Sequence, residues 1–252
     1  MLGLEVVPAL ALAAGGVAAG FINVVAGGGS LITLPLLIFI GIPPTSANGT
    51  LRIAIFAQGL VAVRRFHTAG AIQWKTAATI VWPVWLGAIG GAIVASNMAD
   101  TDFKSMIGWI TLVAGGVVAI DLKKVLAGRT TKQSTARRIV FYLALTIVGF
   151  YGGLAQAGVG YLFLAALVLA GGYMLVEANV MKVVLVMAFT PLTIVIFGLN
   201  SKIHIGYALV LAVGQALGGH FGAGVALSRG SSIIRPVLVV VVVAAAIKLL
   251  FF

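Results

Sequence analysis

Charged side chains are too scarce in this chain to cover the surface of a water-soluble protein of its size. They make up 8% of the 252 residues, whereas a soluble domain carries about 25%. Hydrophobic residues make up 62%, which excludes a disordered protein. The chain has no cysteine, so disulfides, thiolate metal sites and cysteine nucleophiles are also excluded. The class that remains is an all-α polytopic membrane protein.

Ten apolar runs supply the candidate membrane segments, since one helical crossing takes about 20 residues. The runs cover residues 4–26, 31–42, 48–63, 74–96, 104–120, 139–157, 159–175, 178–198, 204–227 and 233–252. The second and seventh runs are short, which predicts half-helices or re-entrant elements. No Lys or Arg precedes the first run, and it is longer than a signal-peptide core, so we expect it to be retained as a span.

The net charge of +11 lies mainly in the connections between apolar runs. Six basic residues fall within residues 121–138, which the positive-inside rule places in the cytoplasm. If all ten segments cross the membrane, the connections with Arg64 and Arg65 and with Arg229 and Arg235 are also cytoplasmic. If the two short segments do not cross, the last pair moves outside. This distribution favours a lipid bilayer, and not nucleic acid, as the partner of the basic residues.

The two halves of the chain resemble each other. Ala47-Asn48 corresponds to Ala178-Asn179 at an offset of 131 residues, and the same offset carries residues 87–91 onto residues 218–222. Chance similarity between Gly- and Ala-rich helices is the alternative explanation. A true repeat would place substrate-binding groups from both halves near the middle of the membrane, as in many secondary transporters.

The repeat divides the chain into three parts. Residues 1–120 form the first transmembrane repeat, residues 121–138 form a basic cytoplasmic linker loop, and residues 139–252 form the second repeat. Each repeat holds five segments. Because five is odd, the two repeats are predicted to have opposite orientations in the membrane.

A glycine-rich turn precedes the short second segment and is a candidate anion site. Gly27, Gly28 and Gly29 allow a sharp turn with exposed amides, and the following helix start offers unpaired N–H groups and a partial positive charge. Ser30 and Thr33 lie three residues apart on one face and can add hydroxyl groups. Such a cluster of donors suits an oxyanion. Tight helix packing by small residues is the alternative.

Further polar candidates recur in both halves. Gly158 precedes the short seventh segment and Gly160 lies at its start, and both are predicted to act like the first glycine turn. Asn48 and Asn179 correspond in the repeat, and each amide can donate two hydrogen bonds to an anion. Helix capping is the alternative for both. Thr50 can add a hydroxyl beside the first of them.

Two cations enter apolar runs soon after the paired asparagines. Arg52 and Lys182 either attract the substrate anion or extend to the membrane interface. Glu177 and His204 are candidates for proton coupling, with helix-dipole stabilisation as the alternative for the former and packing for the latter. Gln156, at membrane depth, is expected to face protein or water.

The motif Gly-Phe-Ile-Asn-Val-Val-Ala-Gly-Gly-Gly-Ser at residues 20–30, followed by Pro35, Gly41 and residues 43–48, resembles the sulfite exporter TauE/SafE family. Residues 149–160 resemble that family's repeated signature. The resemblance covers essentially the whole chain. It implies a cytoplasmic-membrane transporter of small sulfur-containing anions, such as sulfite or sulfonates.

The functional prediction is export of such an oxyanion by alternating access. The alternative is a transporter or channel for a different small anion, such as a carboxylate, with proton coupling as one form. The chain has no HExxH, CxxC or GxSxG motif, so we expect no enzyme activity, and we expect no cofactor and no metal site. Abundant small-residue faces are compatible with a homodimer.

Overall fold

The computed structural model describes residues 6–119 and 135–228, and it describes side chains within residues 10–110 and 135–227. The regular elements of these residues are all helical, as predicted. They are α1 (Val6–Val25), α2 (Ser30–Phe39), α3 (Pro44–Thr68), α4 (Trp74–Ser96), α5 (Asp100–Ala119), α6 (Thr135–Leu154), α7 (Val159–Ala165), a π-helical continuation of α7 (Ala166–Ala170), α8 (Leu175–Leu199) and α9 (Ile205–Ser228). The predicted tenth segment, Arg229, Arg235 and linker residues 121–134 lie outside the described ranges.

Four helices, α4, α6, α8 and α9, are long and apolar enough to cross a membrane by length and composition. Large apolar side chains on these helices are exposed on the outside of the molecule. Leu199 is 81% exposed, Ile147 68% and Val213 64%. An exposed apolar surface of this extent is unfavourable in water but matches the hydrocarbon of a bilayer. The protein is therefore a multi-pass membrane protein.

Helix α3 is longer than the apolar run from which it was predicted. It begins at Pro44 and ends at Thr68, whereas the run covers residues 48–63. Pro44 occupies the first turn, where its missing N–H costs nothing. At the other end the helix continues through Arg64 and Arg65. The predicted run was too short because hydropathy shows where side chains become polar, and not where helical backbone hydrogen bonding ends.

Helices α1 and α2 form a hairpin around the triple-glycine turn. Gly27 has a φ of 95°, in the left-handed region that glycine adopts without strain. The chain then folds back, so that Gly29 packs on the carbonyl of Ala19 and Gly15 faces Leu36. The short second segment is therefore a ten-residue helix antiparallel to the end of α1.

Helices α6 and α7 form a second hairpin. Its turn contains two residues with positive φ, Gln156 at 55° and Gly158 at 69°. Helix α7 changes to a π-helix over Ala166–Ala170 and returns to the start of α6, where the Arg137 guanidinium donates hydrogen bonds to the carbonyl oxygens of Leu169 and Ala170. Both short segments are thus the returning arms of hairpins.

Glycines at four-residue spacing hold the long arm of each hairpin against a long helix. Helix α1 packs on α9, where Gly218 meets the carbonyl of Val17, and α6 packs on α4, where Gly153 meets the carbonyl of Ala88. A Cβ at either glycine would collide with backbone. These glycines therefore allow close helix crossings.

Contacts along α3 set the direction of the two hairpins. Gly59 lies against Met187 and Gly49 against Phe197, so α8 runs antiparallel to α3. The first hairpin enters from the end of the molecule where α3 begins. The second enters from the end where α8 begins, which is the opposite end.

Candidate functional site

The two hairpin turns meet inside the molecule. The Ser30 hydroxyl donates a hydrogen bond to the Gln156 carbonyl oxygen (2.9 Å) and accepts one from the Gly158 N–H (3.1 Å). Gly27 and Gly160 are in backbone contact, and a Cβ at Gly27 would lie 2.8 Å from the Gly160 Cα. The glycine turns that the sequence singled out in each half are therefore neighbours.

A small cavity borders this meeting point. Apolar side chains of α3, α7 and α8 form part of its wall. Its polar lining residues are Asn23, Ser30, Gln58, Gln156 and Lys182. Of the described residues that line this cavity, Lys182 is the one with a charge. A few polar groups in a largely apolar wall are typical of a small-ligand site.

Lys182 holds the end of α1. Its ammonium group donates to the carbonyl oxygens of Asn23 (3.2 Å) and Val24 (3.3 Å) and to the Asn179 Oδ1 (2.7 Å). The Asn179 amide in turn donates to the Val24 carbonyl oxygen (3.2 Å). Lys182 is 2% exposed. Its hydrogen-bond partners in the described chain are all neutral oxygens, so its positive charge has no carboxylate beside it.

Arg52 binds the last carbonyl groups of α6, as Lys182 binds those of α1. Its guanidinium donates to the carbonyl oxygens of Gly152 (3.3 Å) and Gly153, and the Asn48 amide donates to the carbonyl oxygen of Leu154 (2.9 Å). The guanidinium also lies 4.5 Å from the ring centroid of Phe197, in cation–π contact. Arg52 is fully buried.

The two Asn–cation pairs act reciprocally between the halves of the chain. The pair on α3 caps the hairpin helix of the second half, and the pair on α8 caps that of the first half. The last carbonyl groups of a helix lack intrahelical donors and carry a partial negative charge, so cations and amide donors stabilise them. Four of the predicted anion-binding residues therefore have protein oxygens as partners. Only Lys182 of these four also lines the cavity.

Other predicted site residues lie away from the cavity lining. The Thr33 hydroxyl donates to the carbonyl oxygen of Gly29, the residue before its own helix (3.4 Å), and the Thr50 hydroxyl accepts from the His204 N–H (2.9 Å). The His204 ring packs edge-on to Tyr207. The Glu177 carboxylate accepts from the Met174 N–H (3.2 Å) at the start of α8.

Three polar residues of the cavity wall, Asn23, Gln58 and Gln156, were not among the predicted site residues. The Asn23 amide donates to the Gln58 Oε1 at 3.1 Å, which links α1 to the middle of α3. Their polarity within otherwise apolar runs was a usable signal, because a polar side chain at membrane depth faces protein or water. The sequence did not reveal which face of each helix they occupy.

A multi-pass helical protein with a cavity that carries a few polar groups beside two opposed helix breaks has the architecture of a membrane transporter. Comparison with known proteins agrees. Residues 12–249 match the family described as Sulfite exporter TauE/SafE, so the chain belongs to this family.

Relatives of similar length carry transporter names. A "Probable membrane transporter protein ORF9" from Sinorhizobium sp is 29% identical over 92% of this chain and 88% of its own length. A "Probable membrane transporter protein" from Haemophilus influenzae is 28% identical over 89% and 88%, and the "Probable membrane transporter protein YfcA" from Escherichia coli is 27% identical over 92% and 86%. No solved structure matches the chain significantly.

Proposed function

We propose that the protein exports small sulfur-containing oxyanions, such as sulfite or sulfonates, across the cytoplasmic membrane by alternating access. The observation that carries this proposal is the buried Lys182 charge in the wall of the cavity where the two hairpin turns meet. The description of the matched family, a sulfite exporter, favours this substrate class.

The electrostatics of the cavity favour an anion. The hydrogen-bond partners of Lys182 are neutral carbonyl and amide oxygens, so its charge is offset only by dipoles. Inside a protein the effective dielectric constant is far below that of water, which strengthens the attraction between this cation and an entering anion. Ser30, at the start of α2, adds the partial positive charge of a helix N-terminus to the same wall.

The membrane potential supports export over uptake. An inside-negative potential assists the exit of a monoanion by about 2.3 kcal/mol per 100 mV. Export therefore needs no coupling ion, whereas uptake of the same anion against this potential would require a proton or another gradient.

Alternating access rests on the arrangement of the two hairpins. They enter from opposite ends of the molecule and touch through Ser30, Gly158 and the Gly27–Gly160 contact. We propose that the full chain is the inverted repeat of five plus five segments, and that rocking one hairpin and its supporting helices against the other opens the cavity to each side in turn.

Flux measurements test the substrate class. The purified protein in liposomes is expected to release loaded sulfite or a sulfonate when an inside-negative potential is applied. Lys182→Gln should reduce this flux about tenfold or more, because the cation in the wall is lost. Lys75→Gln, a change at an exposed lysine, is the matched control and should leave flux unchanged.

The outcomes separate the proposed substrate class from its alternative. Flux of carboxylates in the absence of sulfite or sulfonate flux would overturn the proposal and favour the carboxylate transporter. Equal loss of flux in both lysine variants would show that the cavity cation has no special role. A thermal melt of each variant distinguishes loss of function from loss of folding.

Site-directed labelling tests alternating access. Because the chain has no cysteine, Val183→Cys would place a single thiol in the cavity wall. Alternating access predicts that membrane-impermeant thiol reagents reach it from either side, and that a saturating substrate changes the ratio of the two labelling rates. Labelling from one side alone, insensitive to substrate, would overturn the mechanism.

A further inference from the structure

The side-chain oxygen of Gln156 lacks a hydrogen-bond partner. Gln156 is 1% exposed and lines the cavity, and its Oε1 is buried without a donor in the part of the chain that the structure describes. A buried acceptor left unpaired is costly, so native proteins rarely keep one without a water, ligand or other partner.

A neighbouring threonine determines the orientation of the Gln156 amide. The Gln156 Nε2 donates to the Thr190 hydroxyl oxygen (3.4 Å), and the same hydroxyl donates its own hydrogen to the Val186 carbonyl oxygen. With this hydrogen donated to Val186, Thr190 acts as the acceptor for Gln156. The amide therefore keeps its nitrogen at Thr190 and its oxygen as the unpaired atom.

The backbone at Gln156 supports a specific role. Its φ of 55° lies in the left-handed region, which a residue with a side chain adopts at a cost, and the preceding and following residues are alanines. Ser30 also holds the Gln156 carbonyl in place. The chain thus positions a polar side chain in the cavity wall at a point of backbone strain.

We propose that the cavity selects an anion that carries a hydrogen-bond donor in addition to its negative charge, and that this donor is received by the Gln156 Oε1. This inference rests on the proposed function and narrows its substrate class. Lys182 supplies attraction for the charge, which every small anion shares. Gln156 supplies an acceptor, which distinguishes a hydroxyl-, amino- or proton-bearing anion from one with acceptor atoms alone.

The physical basis is the mismatch that a donor-free anion creates. Its oxygens or methyl groups would leave the Gln156 Oε1 unpaired after water has been displaced. A hydroxyl or ammonium group would instead donate a hydrogen bond to this oxygen. Sites built to hydrogen-bond a substrate group discriminate strongly against analogues that lack the group, because the protein's own polar atom is then left without a hydrogen-bond partner. Binding of the donor-bearing anion should therefore be tighter by about tenfold or more.

Matched ligand pairs test the inference by calorimetric titration of the purified full-length protein. The first pair is 2-hydroxyethanesulfonate and ethanesulfonate, which have the same charge and differ by one hydroxyl group. The second pair, 2-hydroxypropionate and propionate, repeats the comparison with carboxylates. In each pair the hydroxylated anion is expected to have a dissociation constant that is lower by about tenfold or more.

Two substitutions assign the effect to one atom. Gln156→Met removes the acceptor at similar length and should bring the ratio of dissociation constants close to one. Gln215→Met is the matched control, because Gln215 is also 1% exposed with an unpaired Oε1 but does not line the cavity. This control should leave the ratio unchanged. If Gln156→Met fails to fold, Thr190→Val releases the amide to rotate and should lower the ratio as well.

The failure of this inference differs from failure of the proposed function. Equal affinity within both pairs overturns the inference while sulfonate binding still supports the proposed substrate class. Discrimination within the carboxylate pair, with no sulfonate binding, supports the inference and overturns the sulfur-anion assignment. A ratio that persists in Gln156→Met, or that disappears in Gln215→Met, overturns the role of Gln156.

Discussion

The hydroxyl oxygen of Ser30 lies 2.9 Å from the carbonyl oxygen of Gln156, and 126 positions of sequence separate the two residues. This hydrogen bond joins the turn of one hairpin to the turn of the other. The same hydroxyl accepts from the Gly158 N–H, so one side chain satisfies two backbone groups of the opposite turn. A contact between two turns in the interior of the molecule allows each hairpin to affect the position of the other.

Ser30→Ala should destabilise the protein by about 1–3 kcal/mol, because in a buried site the Gly158 N–H would lose its partner and the Gln156 carbonyl would keep only a long hydrogen bond from the Val159 N–H (3.5 Å). Ser96→Ala is the control. Ser96 is equally buried, but its hydroxyl has only local partners: it donates to the Ile93 carbonyl one turn earlier in its own helix and accepts from the side chain of the next residue, Asn97. Thermal unfolding in detergent micelles measures both. Equal effects would contradict a special role for the contact between the turns.

Gly160→Ala should destabilise the protein by about 1–3 kcal/mol or force the turns apart. Its Cβ would collide with the Cα of Gly27 and lie 2.6 Å from the Gly27 carbonyl oxygen, and both are backbone atoms that cannot rotate away. Gly90→Ala is the control, because its Cβ would meet only the Phe150 ring at 3.6 Å. A melting temperature for Gly160→Ala as high as that for Gly90→Ala would refute the close approach.

Arg52→Met should lower the free energy of unfolding by about 2–3 kcal/mol, since it removes charged hydrogen bonds to the last carbonyl groups of α6. Arg52→Lys is expected to lose less, because it keeps the cation but not the planar group over Phe197. Arg64→Met, at an exposed position, should change stability by less than about 0.5 kcal/mol. Denaturant unfolding in micelles compares the three variants, and a neutral Arg52→Met would exclude the capping role.

Asp100, at the polar first turn of α5, should make stability depend on pH. Burial by itself raises the pKa of Asp100, but hydrogen bonds from the Thr45 hydroxyl and N–H, with the charge of Lys202, outweigh it and lower the pKa below 3.8. A carboxyl group with a lowered pKa in the folded state contributes stability that is complete above its unfolded pKa and is lost as the pH falls through the folded pKa.

The test of this pH dependence is acid unfolding followed by circular dichroism. Asp100→Asn should be less stable than the parent protein at neutral pH and should lose less stability on acidification below pH 3.8. Asp102→Asn, an exposed change two residues away, should follow the parent curve. Parallel curves for the parent and Asp100→Asn would show that the hydrogen bonds from Thr45, at the start of α3, to this carboxylate contribute nothing to stability.

Much of the helical architecture could be predicted from hydropathy. Helix α4 has the predicted bounds, and the shortness of α2 and α7 was expected from their short apolar runs. The glycines that separate these runs from the preceding ones indicated breaks, because glycine tolerates positive φ. The tenth predicted segment and the count of membrane crossings stay predictions, since the described residues end at 228.

The partners of the polar residues were harder to predict. Asn48 and Arg52 were noticed as a polar pair, yet sequence spacing could not distinguish a ligand-binding role from the capping of a helix more than a hundred residues away. The cavity residues Asn23 and Gln58 were missed for the same reason. A side chain's partner depends on how helices are rotated about their axes, and the small-residue contacts between distant helices determine that rotation.

The amino-acid sequence alone determined that this protein lies in a membrane as a set of helices with two glycine-rich breaks, because the scarcity of charge and the local conformational freedom of glycine are properties of short segments. The tertiary structure decided that the breaks meet, that Lys182 and Gln156 line one cavity, and that each Asn–cation pair caps the other half's hairpin. These relationships depend on packing between residues far apart in the chain, which no local pattern specifies.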